Sequence, residues 1–235
     1  MISIKKIVIF MFLISSLAGY SFGETIYTST LGLHQVYEVY PKDDYGRDLN
    51  GSSFIFTLYH YPQDFPFGWF LKTTFGMVTS CYEWQGEKGE SKSIYTTSDI
   101  QISAGPSKKY QIGSITHIPL SLGLVLSHYG EEAGSSWYWD YGSGFIRAFN
   151  MGIIGDVAVL INPNRRFTIV NGLNVSWDFL RWEKGHIEDS YRNINNGRFQ
   201  FVNYNAFKFN LYTGIGLRYK EPPQPPPPSM PAPIE

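Results

Sequence analysis

The sequence has little cysteine, little net charge and no long apolar run beyond its first residues. Its single cysteine, Cys81, excludes an intramolecular disulfide and a multi-cysteine metal site. The formal net charge of −1 gives no electrostatic basis for binding nucleic acid. No stretch after residue 23 approaches the roughly 18 consecutive apolar residues of a transmembrane helix, so any membrane span must be built from strands in a closed barrel.

The first residues have the pattern of a secretory signal peptide. Lys5 and Lys6 precede an apolar stretch that is too short to span a membrane, and small residues follow at the spacing that signal peptidase requires. We predict a signal peptide over residues 1–23, cleavage before Glu24 and export of the mature chain to the outer membrane. The alternative is an N-terminal anchor helix, although nothing after Ala18 extends the apolar stretch.

Apolar residues alternate with polar or small residues along most of the remaining chain. The clearest example runs from Phe207 to Tyr219, where every second residue is apolar or threonine. This pattern predicts an all-β fold, a single antiparallel up-and-down transmembrane β-barrel of about eight strands over residues 24–220. The other alternating segments are 67–77, 118–126, 149–161 and 167–179, with weaker ones at 31–39, 54–61 and 99–105.

The connections between these strands differ in length in a regular order. Outer-membrane barrels alternate short periplasmic turns with longer extracellular loops, and this order therefore predicts that both ends of the mature barrel lie in the periplasm. The predicted links are long at 41–51, 85–92, 129–144 and 185–198, short at 62–66 and 162–166, and intermediate at 106–115.

The composition of the second face of each strand distinguishes a membrane barrel from a soluble one. A soluble, lipocalin-like barrel has its apolar face inside and a charged face in water. Here the face opposite the apolar one is mostly glycine, serine, threonine, alanine and asparagine, which suits the cramped lumen of a small barrel. The apolar face has aliphatic residues in mid-strand and aromatic residues such as Trp69, Trp177, Phe179 and Tyr219 toward strand ends, as a lipid-facing wall requires.

Several charged residues fall on the predicted lumen face. An isolated buried ion costs several kcal/mol, so these charges need partners. We predict a salt-bridge network that includes Asp156, Asp178, Lys208 and Arg218. Two interpretations remain open, a plug that stabilises the barrel and a gated path for protons or ions. The full set on this face is His34, Glu38, Lys72, Asp99, Asp156, Asp178, Lys208 and Arg218.

One short motif and the strand pattern resemble a known family. The spacing of Tyr212, Gly214, Leu217 and Tyr219 resembles the terminal-strand signal that the barrel-assembly machinery recognises. Together with the alternation, it makes nearly the whole mature chain similar to the small outer-membrane barrels of the OmpA, OmpX and OmpW type, and more weakly to uncharacterised small-barrel families of spirochaetes. The resemblance implies insertion into outer-membrane lipid by that machinery. In the family pattern the motif ends the chain, whereas here Lys220 and a tail follow.

Two segments outside the predicted strands are candidates for contact with partners. The third long link carries Trp137, Tyr138, Trp139 and Tyr141, which either bind an extracellular ligand or continue a strand into the outer aromatic girdle. Residues 221–235 form a proline-rich tail that cannot extend the sheet, since proline lacks the N–H that a ladder needs. We expect this tail in the periplasm, either solvated or bound to peptidoglycan or a periplasmic protein.

The sequence does not favour catalysis, a cofactor or a metal. Ser127 and His128, with Glu131 nearby, suggest a lipid-modifying site, but neighbouring strand residues point to opposite faces. The histidines at positions 60, 117 and 186 have no metal-ligand spacing. We predict a non-enzymatic barrel with a structural or surface-interaction role. The alternatives are a channel or transporter for small or hydrophobic solutes and, third, a lipid-modifying enzyme.

Overall fold

A computed structural model describes residues 23–40, 45–63, 65–86, 89–134, 144–162, 166–186 and 199–220. No helix in this part of the chain is long and apolar enough to cross a membrane. The strands are β1 (Gly23–Tyr40), β2 (Tyr45–Pro62), β3 (Gly68–Gly86), β4 (Gly89–Ile112), β5 (Thr116–Gly134), β6 (Gly144–Ile161), β7 (Phe167–His186), β8 (Gln200–Val202) and β9 (Asn205–Lys220).

Some of the predicted features lie outside the described residues and stay predictions. Residues 1–22 of the predicted signal peptide, the proline-rich tail and the aromatic candidates of the third long link belong to this group. Gly23, the last residue of the predicted signal peptide, is the first residue of β1.

The strands close into one antiparallel barrel. Strands β1 to β7 pair in chain order, β7 pairs with β9, and β9 pairs with β1 to complete the wall. The three-residue β8 also pairs with β7 and continues the line of the last wall strand. The wall therefore has eight strands, which confirms the predicted fold class.

The register of the ladders fixes the width of the barrel. A path of hydrogen-bonded partners that leaves β1 at Tyr27 returns to β1 at Tyr37, ten residues further along the same strand. This stagger requires strands tilted by about 35–45° to the barrel axis, and eight strands leave an interior just wide enough to be filled by side chains. The path passes through Leu58, Leu71, Ala104, Leu124, Ile153, Trp177 and Phe207.

The apolar residues of the alternating strands face outward, as predicted. Leu211 and Leu217 in β9 are 61% and 57% exposed, and Leu122 and Leu124 in β5 are each 63% exposed. So much exposed apolar surface around a closed wall is unfavourable in water and favourable in lipid. Aromatic side chains lie toward the two ends of this band: Trp69, Tyr110, Phe167 and Tyr219 at one end, and Tyr37, Phe149, Trp177 and Phe207 at the other.

The strands are longer than predicted at the end opposite the termini. Strands β3 and β4 stay paired as far as Gly86 and Gly89, so only two residues separate them where a link over 85–92 was predicted. Likewise β1 and β2 pair up to Tyr40 and Tyr45. Alternation of apolar and polar residues marks only the part of a strand that has lipid on one side. A strand that extends beyond the bilayer no longer needs this alternation, and here the backbone pairing continues without it.

The intermediate link of the prediction is a tight turn in the structure. Strand β4 continues to Ile112, which pairs with Thr116, so the link predicted over 106–115 is reduced to a turn over 113–115. Gly113 has a φ of 65°, a left-handed conformation that glycine adopts without steric cost. All three links on the side of the chain termini are therefore short, as periplasmic turns are.

Candidate functional site

The candidate site is the lumen, because nearly all of the charges predicted to face inward are buried there. Arg218 is partly exposed. The buried residues are His34, Glu38, Lys72, Asp99, Asp156, Asp178 and Lys208. These residues form contacts at four successive levels along the barrel rather than the single network that was predicted.

The first level lies at the end of the barrel with the short turns and centres on Glu24. Its two carboxylate oxygens accept hydrogen bonds from Lys109 and Arg218, and the Lys109 ammonium lies 4.6 Å from the centre of the Tyr61 ring. Arg218 was predicted to join Asp156 and the central charges. It does not, because the stagger of the strands places the start of β1 beside the end of β9.

The second level is built around Asp156 and is surrounded by apolar side chains. Asp156 forms a salt bridge with Lys72 and accepts hydrogen bonds from Tyr59 at 2.9 Å and Tyr212 at 2.7 Å. Three donors thus compensate one buried carboxylate, as a charge removed from water requires. The surrounding apolar side chains are Ile26, Ile55, Phe70, Val125, Ile154, Ala158, Leu160 and Val170.

The third level places one lysine between two carboxylates. The Lys208 ammonium lies 2.9 Å from Asp99 and 2.8 Å from Asp178, and it also donates a hydrogen bond to Ser127 at 3.1 Å. The predicted pairing of Lys208 with Asp178 is therefore present, while Asp156 pairs with Lys72 at the level below. The ion triad joins strands β4, β7 and β9 across the lumen.

His34 extends this level to β1. Its imidazole nitrogens lie 3.2 Å from Asp99 and 2.7 Å from the side-chain oxygen of Asn210. A side chain at Gly76 would meet the His34 ring, with a Cβ only 2.6 Å from an imidazole carbon. A side chain at position 76 would therefore require the His34 ring to move.

The fourth level lies toward the end of the barrel opposite the short turns and holds an arginine between two aromatic rings. The Arg181 guanidinium lies 4.7 Å from the centre of the Tyr129 ring and 4.4 Å from that of Tyr204. It forms ion pairs with Glu183 at 2.7 Å and Glu38 at 3.5 Å. Planar stacking and ion pairing together are the interactions for which arginine is suited.

Sequence reasoning missed Arg181 because of a β-bulge in β7. Met151 of β6 pairs with Leu180, whereas the next residue, Gly152, pairs with Asp178, so Phe179 is an extra residue in β7. One extra residue exchanges the two faces of all residues that follow. The period-2 pattern of β7 would place Arg181 outside, but its side chain is fully buried in the lumen.

Sequence reasoning also missed several tyrosines, because an amphipathic tyrosine fits either the lumen or the aromatic girdle. Tyr59, Tyr129 and Tyr204 point inward and are fully buried, and each interacts with a buried charge or polar group. The only sequence signal for them was their position in phase with polar residues such as Thr57.

The residues considered for catalysis do not come together. Ser127 faces the lumen and donates a hydrogen bond to Asp178 at 3.1 Å, whereas the His128 ring packs outside against Phe149, with 5.0 Å between ring centres. The side chain of Glu131 is outside the described residues. No group of three or more histidine, cysteine, aspartate or glutamate residues that could hold a metal occurs in the part of the chain that the structure describes.

The residues of the predicted assembly signal divide between the two faces of β9. Tyr212 points into the lumen and contacts Asp156, while Leu217 and Tyr219 face outward and are 57% and 59% exposed. Gly214 pairs with Thr30 of β1 at the closing ladder. Recognition of this strand by the assembly machinery stays a prediction.

No protein-family model and no curated protein sequence matches this chain. Solved structures do match its fold. A major outer membrane protein from Thermus thermophilus has a TM-score of 0.54 at 10% sequence identity, with 83% of this chain and 99% of that chain covered. The outer membrane protein OprG from Pseudomonas aeruginosa has a TM-score of 0.51 at 11% identity, with 87% of this chain and 99% of that chain covered. Together with the exposed apolar band and the eight-strand closure, these matches lead to one conclusion: the chain is an outer-membrane protein with the fold of the small eight-stranded outer-membrane β-barrels.

Proposed function

We propose that this protein is a closed, non-conducting barrel that anchors extended hairpins at the cell surface and acts there in a structural or surface-interaction role. The observation that carries the proposal is the burial of the lumen charges. Lys72, Lys208 and Arg181 are no more than 1% exposed, although all three are basic side chains with acidic partners in the lumen. A water-filled lumen would leave such side chains accessible to water. Their burial therefore supports a lumen filled by side chains rather than an open pore.

The spacing of the four levels supports the same proposal. Ion pairs and apolar side chains alternate from Glu24 at the periplasmic rim to Arg181 near the extracellular end. A solute would have to separate several buried ion pairs in succession, and each separation would leave buried charges without their partners. A stabilising plug therefore fits the lumen better than an ion path.

The length of the strands supports a role at the surface. A tilted strand needs about 9–11 residues to cross the bilayer, yet β3 has 19 and β4 has 24. Since the turn side of the barrel is short, the excess lies mainly on the extracellular side. The Arg181 level cross-links the wall near this end and would hold the extensions rigid, which favours their use as a contact surface.

Planar-bilayer recordings test the proposal against the channel alternative. We expect the purified full-length protein to insert without sustained conductance steps, because charged and aromatic side chains fill its lumen. A porin reconstituted in the same bilayer shows that the assay detects an open pore. A heat-dependent shift on an unboiled gel confirms that the inserted protein is folded, so steady single-channel currents from such a sample would reject the closed barrel.

The geometry also disfavours a lipid-modifying enzyme. The Ser127 hydroxyl and the His128 ring lie on opposite sides of the wall, so the imidazole cannot take a proton from that serine. We therefore propose no catalytic role for this barrel.

A further inference from the structure

One lysine of the lipid-facing wall differs from the lumen lysines in its surroundings. Lys108 on β4 lies between Ser107 and Lys109, whose contacts are with lumen side chains, so Lys108 points outward. Its ammonium lies 5.4 Å from the centre of the Phe67 ring and 5.2 Å from that of Tyr110. Among the described residues it has no carboxylate partner. Lys108 therefore presents an uncompensated positive charge at the surface of the barrel.

A groove in the wall lies directly beside this charge. The ladder between β4 and β5 has the pairs Ala104–Leu124 and Ser107–Ser121 but none at Gly105 and Pro106 between them. Proline has no N–H to donate, so the ladder cannot be complete here. The resulting groove has a volume of about 230 Å³, smaller than the 300–1,000 Å³ typical of a pocket for a whole small molecule. Its outward-facing lining is Phe67, Pro106, Lys108, Leu120 and Leu122.

Along the barrel axis, the charge lies nearer the membrane surface than the groove does. The head group and the acyl chains of a lipid lie in the same order. Lys108 is four residues from Ile112, the periplasmic end of β4, and its ammonium lies over Tyr110 on the periplasmic side. From Leu120 to Leu122 the groove runs the opposite way, toward the middle of the bilayer. A lysine that extends along an apolar wall to the interface is a typical anchor for polar lipid groups.

We propose that Lys108 and this groove bind one glycerophospholipid of the periplasmic leaflet. The phosphodiester accepts hydrogen bonds from the Lys108 ammonium, and part of one acyl chain fills the groove along Leu120 and Leu122. The two aromatic rings already hold the ammonium in place, so little side-chain freedom is lost when the phosphate binds. At the edge of the apolar band the ion pair is also stronger than it would be in water.

Native mass spectrometry of the full-length protein in detergent, titrated with phosphatidylglycerol, tests this site. The variant Lys108→Gln removes the charge and keeps a polar, slightly shorter side chain outside the wall. We expect it to bind the first lipid about tenfold more weakly than the unmodified protein, the change that loss of about 1.4 kcal/mol produces. The matched control is Lys184→Gln, because Lys184 lies 4.9 Å over the Phe199 ring at the opposite end of the barrel. We expect this control to bind as the unmodified protein does.

A third titration distinguishes the contribution of the phosphate from that of the acyl chains. A diacylglycerol with the same chains lacks the phosphate and should bind the unmodified protein as weakly as phosphatidylglycerol binds the Lys108→Gln variant. Equal losses in the two lysine variants would show unspecific attraction and reject the site. Equal binding of the two lipids would reject the role of the phosphate. An unboiled gel confirms that each variant is a folded barrel, so weaker binding cannot be assigned to unfolding.

Discussion

At the scale of single residues, Lys208 has the most demanding environment in the barrel. Its ammonium is the shared partner of Asp99 and Asp178, and all three side chains are inaccessible to water. Two buried carboxylates that share one site repel each other unless a cation lies between them. The stability of the central level therefore depends on one positive charge.

Replacing Lys208 by methionine should destabilise the barrel strongly. Lys208→Met keeps most of the volume and leaves two buried carboxylates without their cation, so we expect a loss of about 3–5 kcal/mol in the free energy of unfolding. Urea titration of the protein in lipid vesicles measures it. Lys220→Met is the control, since Lys220 is exposed at the end of β9 and a surface change typically costs within about 0.5 kcal/mol. Similar losses in the two variants would contradict the role given to Lys208.

A compensating variant shows whether the stability lost in Lys208→Met comes from the missing charge or from altered packing. If lost compensation is the cause, adding Asp99→Asn and Asp178→Asn to Lys208→Met should restore part of the lost stability, since neutral amides do not repel. A further loss in the triple variant would instead assign the effect to packing around the lysine.

At the scale of elements, the bulge at Phe179 controls which residues of β7 face the lumen. Deleting Phe179 should turn Arg181 and Glu183 toward lipid and Trp182 toward the lumen, because one residue exchanges the faces of a strand. We expect this deletion to abolish the heat-dependent gel shift of the folded barrel or to lower its transition temperature. Phe179→Leu keeps the residue count and is the matched control. A deletion variant as heat-resistant as this control would contradict the importance of the bulge.

The strands also show how far the sequence predicts this fold. Alternation correctly predicted the outward faces of β5 and β9, because lipid on one side and a narrow lumen on the other give every second residue a different environment. It failed beyond Phe179, where a bulge leaves no mark in a single sequence. It also missed the upper parts of β3 and β4, where the backbone pairing continues without a strict alternation in the sequence.

At the scale of the whole molecule, the sequence indicates which residues face the lumen but not the level along the barrel at which each one lies. The structure buries Lys72, Asp156 and Lys208 in the lumen, whereas Arg218 lies beside Glu24 at the end of the barrel with the short turns. The level of a residue depends on the stagger of all eight ladders together. That stagger is a property of the closed wall and is not encoded in any one strand.

The orientation of the barrel in the outer membrane gives a further prediction. A short peptide epitope inserted between residues 87 and 88, at the tip of β3 and β4, should be bound by antibody on intact cells, because long strands extend to the extracellular side. The same epitope inserted after Gly113, in the tight turn between β4 and β5, should be bound only after permeabilisation. The reverse result would show that the long hairpins face the periplasm.

The ladder between β1 and β9 joins the two ends of the wall, with Glu24 beside Lys220. During synthesis β1 emerges first and β9 last, so this ladder has the longest loop to close and is the slowest to form. Until it forms, both outer edges of the sheet carry unpaired N–H and C=O groups, which are templates for pairing with other chains. A chain that stops before β9 is therefore an open sheet prone to aggregation, and the periplasm must shield every nascent barrel until its last strand arrives.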